Sequence, residues 1–68
     1  MAEKYVEHYV AKVEKDKVGV YNQRGMCRYT IPGKAKFAVI QGDELVITED
    51  DDTVTCYVAK TGRYIRSF

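Results

Sequence analysis

The sequence predicts a mainly β protein, an antiparallel meander of six or seven short strands in which residues 2–14 are either a first strand or an amphipathic helix. Three observations carry this expectation. From residue 17 onward, runs of four to seven residues rich in Val, Ile, Thr, Tyr and Phe alternate with turn residues. The links between those runs are too short for a crossover helix, so successive strands must pair as hairpins. A composition of 46% hydrophobic and 31% charged residues is that of a globular chain, neither disordered nor membrane-spanning.

Taken in order, "KVGVYN" is followed by the link "QRG", "MCRYTI" by "PGK", and "KFAVIQ" by "GDE". "LVITE", the turn "DDD", "TVTCYVA", the turn "KTG" and "RYIRSF" complete the series. The first segment reads two ways. Ala2, Tyr5, Val6, Tyr9, Val10 and Val13 recur at helical spacing, which describes an amphipathic helix. Their β-branched and aromatic side chains suit a strand better.

Alternation places Val18, Val20, Cys27, Tyr29, Ile31, Phe37 and Val39 on one face. Leu45, Ile47, Val54, Cys56, Val58, Tyr64 and Phe68 continue it, and this face is the expected core. The opposite, wet face would carry Tyr21, Arg28, Thr30, Lys36, Thr48, Thr53, Thr55 and Tyr57. Sixty-eight residues make one domain, near the size at which a single core barely offsets the entropy of ordering the chain, so association with further copies is expected.

A net charge of +1 hides segregated blocks. Residues 17–42 hold five basic side chains (Lys17, Arg24, Arg28, Lys34, Lys36) and no acid, whereas residues 43–59 hold six acids and no base. Such blocks are solvated faces, an interaction surface or self-complementary patches of an oligomer. Glu49 to Asp52, "EDDD", lacks the spacing that wraps oxygen ligands around Ca2+ and reads as a solvated turn.

Chemistry is disfavoured by inventory. His8 is the one histidine, which leaves no metal cluster and no Cys/His or Ser/His pair, and it is placed at a surface or interface. Cys27 and Cys56, far apart in sequence, are expected as reduced, core-facing thiols. No run approaches the roughly 20 apolar residues of a transmembrane helix, and "MAEKYVEHYV" is not built like a secretory signal. No membrane partner and a cytoplasmic location are the corresponding expectations.

Sliding the chain by 36 residues aligns Ala2 with Ala38, Val10 with Val46, Asp16 with Asp52, Val18 with Val54 and Tyr21 with Tyr57. One inserted residue then aligns Gly25 with Gly62. Each copy runs as an apolar strand, an acidic turn, "xVxxY", a basic turn ending in glycine and a further strand. "DKVGVYNQRGMCRYTI" and "DTVTCYVAKTGRYIRSF" resemble the last two strands of β-propeller blades. The resemblance implies one domain of two blade-like repeats, residues 1–32 and 37–68. Two blades cannot close a ring, so it also implies that several chains assemble. Without a Trp-Asp pair, no particular propeller family is indicated.

A second stretch, "YTIPGKAKFAVIQGDELVIT", is similar to the SpoVT/AbrB swapped-hairpin family through Ile31 and Pro32, the Gly42 and Asp43 turn, and the strand that follows. This resemblance implies a dimeric DNA-binding regulator in which Arg24, Arg28, Lys34 and Lys36 contact DNA. Tyr21 and Tyr57, placed by alternation beside Arg28 and Lys36, would stack bases on the wet face. The leading expectation is a binding or scaffold protein, without catalysis or cofactor, that self-associates through its sheets; nucleic acid is the alternative partner.

Overall fold

The computed structural model describes residues 7–68 and is built entirely of antiparallel strands. They are β1 (Tyr9–Val13), β2 (Lys17–Asn22), β3 (Cys27–Pro32), β4 (Ala35–Gln41), β5 (Glu44–Glu49), β6 (Val54–Val58) and β7 (Tyr64–Ser67). The strands pair in chain order as two sheets, β1-β2-β3 and β4-β5-β6-β7. No helix among the described residues is long and apolar enough to cross a membrane.

The ambiguous first segment is a strand where it is described. Tyr9 to Val13 pair with Asn22 to Val18, which gives these β-branched and aromatic residues a ladder partner that an isolated helix would lack. Residues 2–6 of that segment lie outside the described residues.

The sheets pack face to face. Val18 and Val20 of β2 meet Leu45 and Ile47 of β5, none more than 4% exposed. Tyr9, Ala11, Tyr29 and Ile31 close the cluster from the first sheet, and Ala35, Ala38, Ile40 and Tyr57 from the second. Each fully buried aliphatic side chain contributes about 1.5–3 kcal/mol through its removal from water. Tyr29 also joins the sheets by a polar contact: its hydroxyl donates to the Ala59 carbonyl at 2.5 Å. Burial pushes that hydroxyl's pKa up to about 12.

Several face assignments differ from those expected by alternation. In β4 it is Ala38 and Ile40 that pack inward, while Phe37 and Val39 stand 67% and 52% exposed. In β6, Thr55 pairs with Ile47 and Tyr57 with Leu45, so these two face the core, and Val54, Cys56 and Val58 take the other face, where Cys56 is nevertheless buried as expected, 2% exposed. Tyr64 and Phe68 are exposed, and so is Cys27. Two physical causes account for this. "AKFAVIQ" is apolar in both phases of the alternation, so the pattern alone does not choose a face. Register shifts between Val20 and Tyr21, and between Ala35 and Phe37, then move residues out of simple alternation and set Cys27 opposite Tyr21.

The hydrogen bonding of β1-β2-β3 recurs in β5-β6-β7. The Asn22 amide donates to the Met26 carbonyl at 3.0 Å, as the Val58 amide does to Arg63 at 2.7 Å. The Gly25 amide donates to Asn22, as the Gly62 amide does to Val58. Both glycines hold a left-handed backbone, φ 82° and 78°, which side-chain-bearing residues adopt at a cost. One sheet shifts register after Val20 and the other after Cys56. Val18, Val20, Tyr21, Tyr29 and Ile31 thus correspond to Val54, Cys56, Tyr57, Arg66 and Phe68. In the leading strand, Tyr9 pairs with Asn22 as Glu44 pairs with Val58, so Val10 corresponds to Leu45.

Candidate interaction surface

The side chains expected to bind nucleic acid do not share a surface. Tyr57 packs against the core, where burial, then Glu49 and Tyr64, raise its pKa. Tyr21 is on the outer face of the first sheet, opposite Val10, and its hydroxyl donates to Glu14 at 3.0 Å; that bond, before the carboxylate's charge, raises its pKa. Arg24 occupies the β2–β3 turn, where its amide donates to the Asn22 side chain at 2.9 Å. Lys34 is exposed in the β3–β4 link, at the other end of β3. Six residues of strand separate those two ends by roughly 20 Å.

The remaining two cations are paired. Arg28 lies 3.4 Å from Glu7. Glu7 also accepts from the Tyr9 hydroxyl at 2.6 Å and from Asn22 Nδ2 at 3.0 Å. Those two bonds, ahead of Arg28, hold its carboxyl below the usual range. Lys36, displaced by the β4 register shift, lies 2.7 Å from Asp52. The acidic turn is structural: the Asp51 carboxylate accepts the Thr53 amide at 3.0 Å, which lowers its pKa, and Asp52 takes a left-handed φ of 72°.

Two polar features lie elsewhere. An open cleft of about 910 Å³ at one end of the two sheets is lined by Glu7, His8, Tyr9, Asp43 and Lys60 among others. It mixes both signs of charge, and Glu7 is already engaged by three partners. Across the inner side of β5 to β7, the Tyr64 hydroxyl meets Ser67, Ser67 meets Thr55, and Thr55 donates to Glu49 at 2.8 Å. This string satisfies Thr55, which is 5% exposed. Among the described residues, no group of three or more His, Cys, Asp and Glu side chains could hold a metal ion.

The outer face of the second sheet is apolar. Phe37 and Val39 of β4 stand on the outer face of the second sheet opposite Thr48 and Val46. Val46 is paired in turn with Cys56, and Cys56 with Arg66. Phe68, whose amide donates to the Val54 carbonyl, is 74% exposed beneath the Arg66 guanidinium, 5.6 Å from its ring centre. Arg66 is held there by Glu44 at 3.0 Å. The first sheet's outer face is lined by Val10, Lys12, Gly19 and Tyr21, with Val10 59% exposed.

Alternation alone missed this face because it assigned Phe37, Val39 and Phe68 to the interior. The available signal was the unbroken apolar run of β4 beside the apolar positions of β6, the pattern of a sheet covered on both sides. Compared with protein families, with curated proteins and with solved structures, the chain matches none.

Proposed function

We propose that this chain is a small binding or scaffold protein that works by self-association through its sheet surfaces and has no chemistry of its own. The observation that carries the reading is the outer face of β4-β5-β6-β7, where Phe37, Val39 and Phe68 are 67%, 52% and 74% exposed around a buried Cys56. A sheet apolar on both faces gains stability when its second face is covered, and large exposed apolar patches mark interaction sites. The small core supports the same reading, because a chain of this size gains much from burial between subunits. Sedimentation equilibrium over a range of micromolar concentrations tests it. A mass that is a multiple of 7.8 kDa is expected; a folded 7.8 kDa species at every concentration would overturn the proposal.

A further inference from the structure

We infer that copies of this chain stack head to tail, the outer face of β4-β5-β6-β7 in one copy seated on the outer face of β1-β2-β3 in the next. The inference rests on the self-association proposed above and adds its geometry: the contact between copies repeats the contact between the two sheets inside one chain.

The matched hydrogen bonds of the two meanders make this specific. The inner face of the first sheet presents Val18, Val20 and Ile31, and their counterparts on the outer face of the second are Val54, Cys56 and Phe68. The inner face of the second sheet presents Leu45 and Tyr57, and their counterparts on the outer face of the first are Val10 and Tyr21. By position, each outer face therefore matches the partner that the other needs, with Val10 and Phe68 exposed and Cys56 already buried in one copy. Lys12 stands where Ile47 stands in the second sheet, and its aliphatic stem can cover apolar surface while the ammonium reaches the rim.

The two glycine turns supply an independent observation. A Cβ on Gly62 would come within 3.0 Å of the Tyr29 ring, which rests on that turn. A Cβ on Gly25, its counterpart, would meet none of the described residues within 4 Å. Among the described residues, no side chain rests on Gly25 as Tyr29 rests on Gly62. Arg66 is the counterpart of Tyr29; seated there, its guanidinium would donate to the Gln23 carbonyl of the next copy, as the Tyr29 hydroxyl donates to Ala59.

Charge separates this arrangement from a symmetric one. Residues 7–33 carry Lys12, Lys15, Lys17, Arg24 and Arg28 against Glu7, Glu14 and Asp16, a net +2. Residues 35–68 carry four basic side chains against six acids, a net −2. Head-to-tail stacking alternates the signs, whereas a two-fold contact sets like against like. A heterologous contact either closes or grows without limit.

The test uses the full chain and two single-face variants, Val10→Asp on the first sheet and Phe37→Asp on the second. Both side chains are exposed in one copy, at 59% and 67%, so each variant should fold. Each alone should sediment as a 7.8 kDa monomer, and an equimolar mixture should give a species of twice that mass, because each variant keeps the face that the other has lost. Gly25→Asn provides a second measurement: asparagine tolerates the left-handed backbone, so the variant should retain the wild-type circular dichroism spectrum and lose the assembly. If wild-type protein assembles but the mixture stays monomeric and Gly25→Asn leaves the mass unchanged, the stack is wrong and self-association stands. If wild-type protein is a folded monomer throughout, both proposals fall.

Discussion

Tyr29→Phe removes one oxygen atom at a place where a polar side chain of the first sheet reaches the backbone of the second. The Tyr29 hydroxyl donates to the carbonyl of Ala59, a residue 2% exposed, so the variant leaves a buried acceptor without this donor. That loss should cost about 1–2 kcal/mol at neutral pH. In a domain of this size it lowers Tm by about 4–8 °C per kcal/mol. The pH dependence is the sharper readout. Burial raises the hydroxyl's pKa from 10.0 to about 12, so the unfolded chain releases this proton before the folded one does as pH rises. The contribution is complete below the unfolded pKa and is lost as pH climbs through the folded one. By about pH 11, one unit above the ordinary value, the unscreened loss would be about 1.4 kcal/mol. The ring is only half-buried, and solvent screening reduces this to roughly 0.7 kcal/mol. Urea unfolding followed by circular dichroism, at one fixed protein concentration and at several pH values from about 8 to 11, should show the gap between wild type and Tyr29→Phe narrowing by that amount. A gap that stays constant across the range would show that this hydroxyl is not desolvated between the sheets.

Cys27 is a free exposed thiol and Cys56 a free buried one, so a thiol reagent should label one equivalent in native buffer at once and the second only on unfolding; equal rates for both would contradict the register of β2 and β3. Leu45→Ala empties the centre of the core and should destabilise by about 2–5 kcal/mol, read as a lower urea midpoint, whereas Val39→Ala on the outer face should cost under about 1 kcal/mol in the dissociated protein. Asp52→Gly relieves a left-handed backbone at the loss of one exposed ion pair, and thermal unfolding should give a Tm equal to or above that of wild type; a clear fall would mean that the Lys36 contact outweighs the strain.

How much of this was legible in the sequence depended on whether a segment had one apolar face or two. In β2, valines at 18 and 20 flank Gly19 and precede a polar end, so the phase is unique, and the sequence reading and the structure agree on it. Leu45 and Ile47 agree likewise, since the whole series before them ends in the fixed Gly42 turn. In β4 and β6, side chains of both phases are apolar or β-branched, and the choice falls to hairpin register, which depends on turn geometry that residue types do not state. The basic and aromatic side chains grouped by alternation were dispersed by the same cause: Tyr57 went inward with Leu45, and Arg28 and Lys36 were drawn to Glu7 and Asp52.

One residue of turn length decides the rest. Val13 pairs with Val18 across four intervening residues, whereas Thr48 pairs with Val54 across five. A slide of 36 residues therefore matches β2 to β6 but sets β1 one position out, laying Val10 over Val46 when hydrogen bonding matches Val10 to Leu45. Since adjacent residues of a strand point to opposite faces, that single step exchanges inside for outside along the whole leading strand. Corrected for the step, the two meanders face the same way along the chain instead of mirroring each other across the core. A mirrored pair would bury both apolar faces against each other and leave two polar surfaces. A pair facing the same way buries one face of each sheet and leaves the other two outermost at opposite ends, which is why Val10 and Phe68, whose positions match Leu45 and Ile31 of the buried faces, stand 59% and 74% exposed.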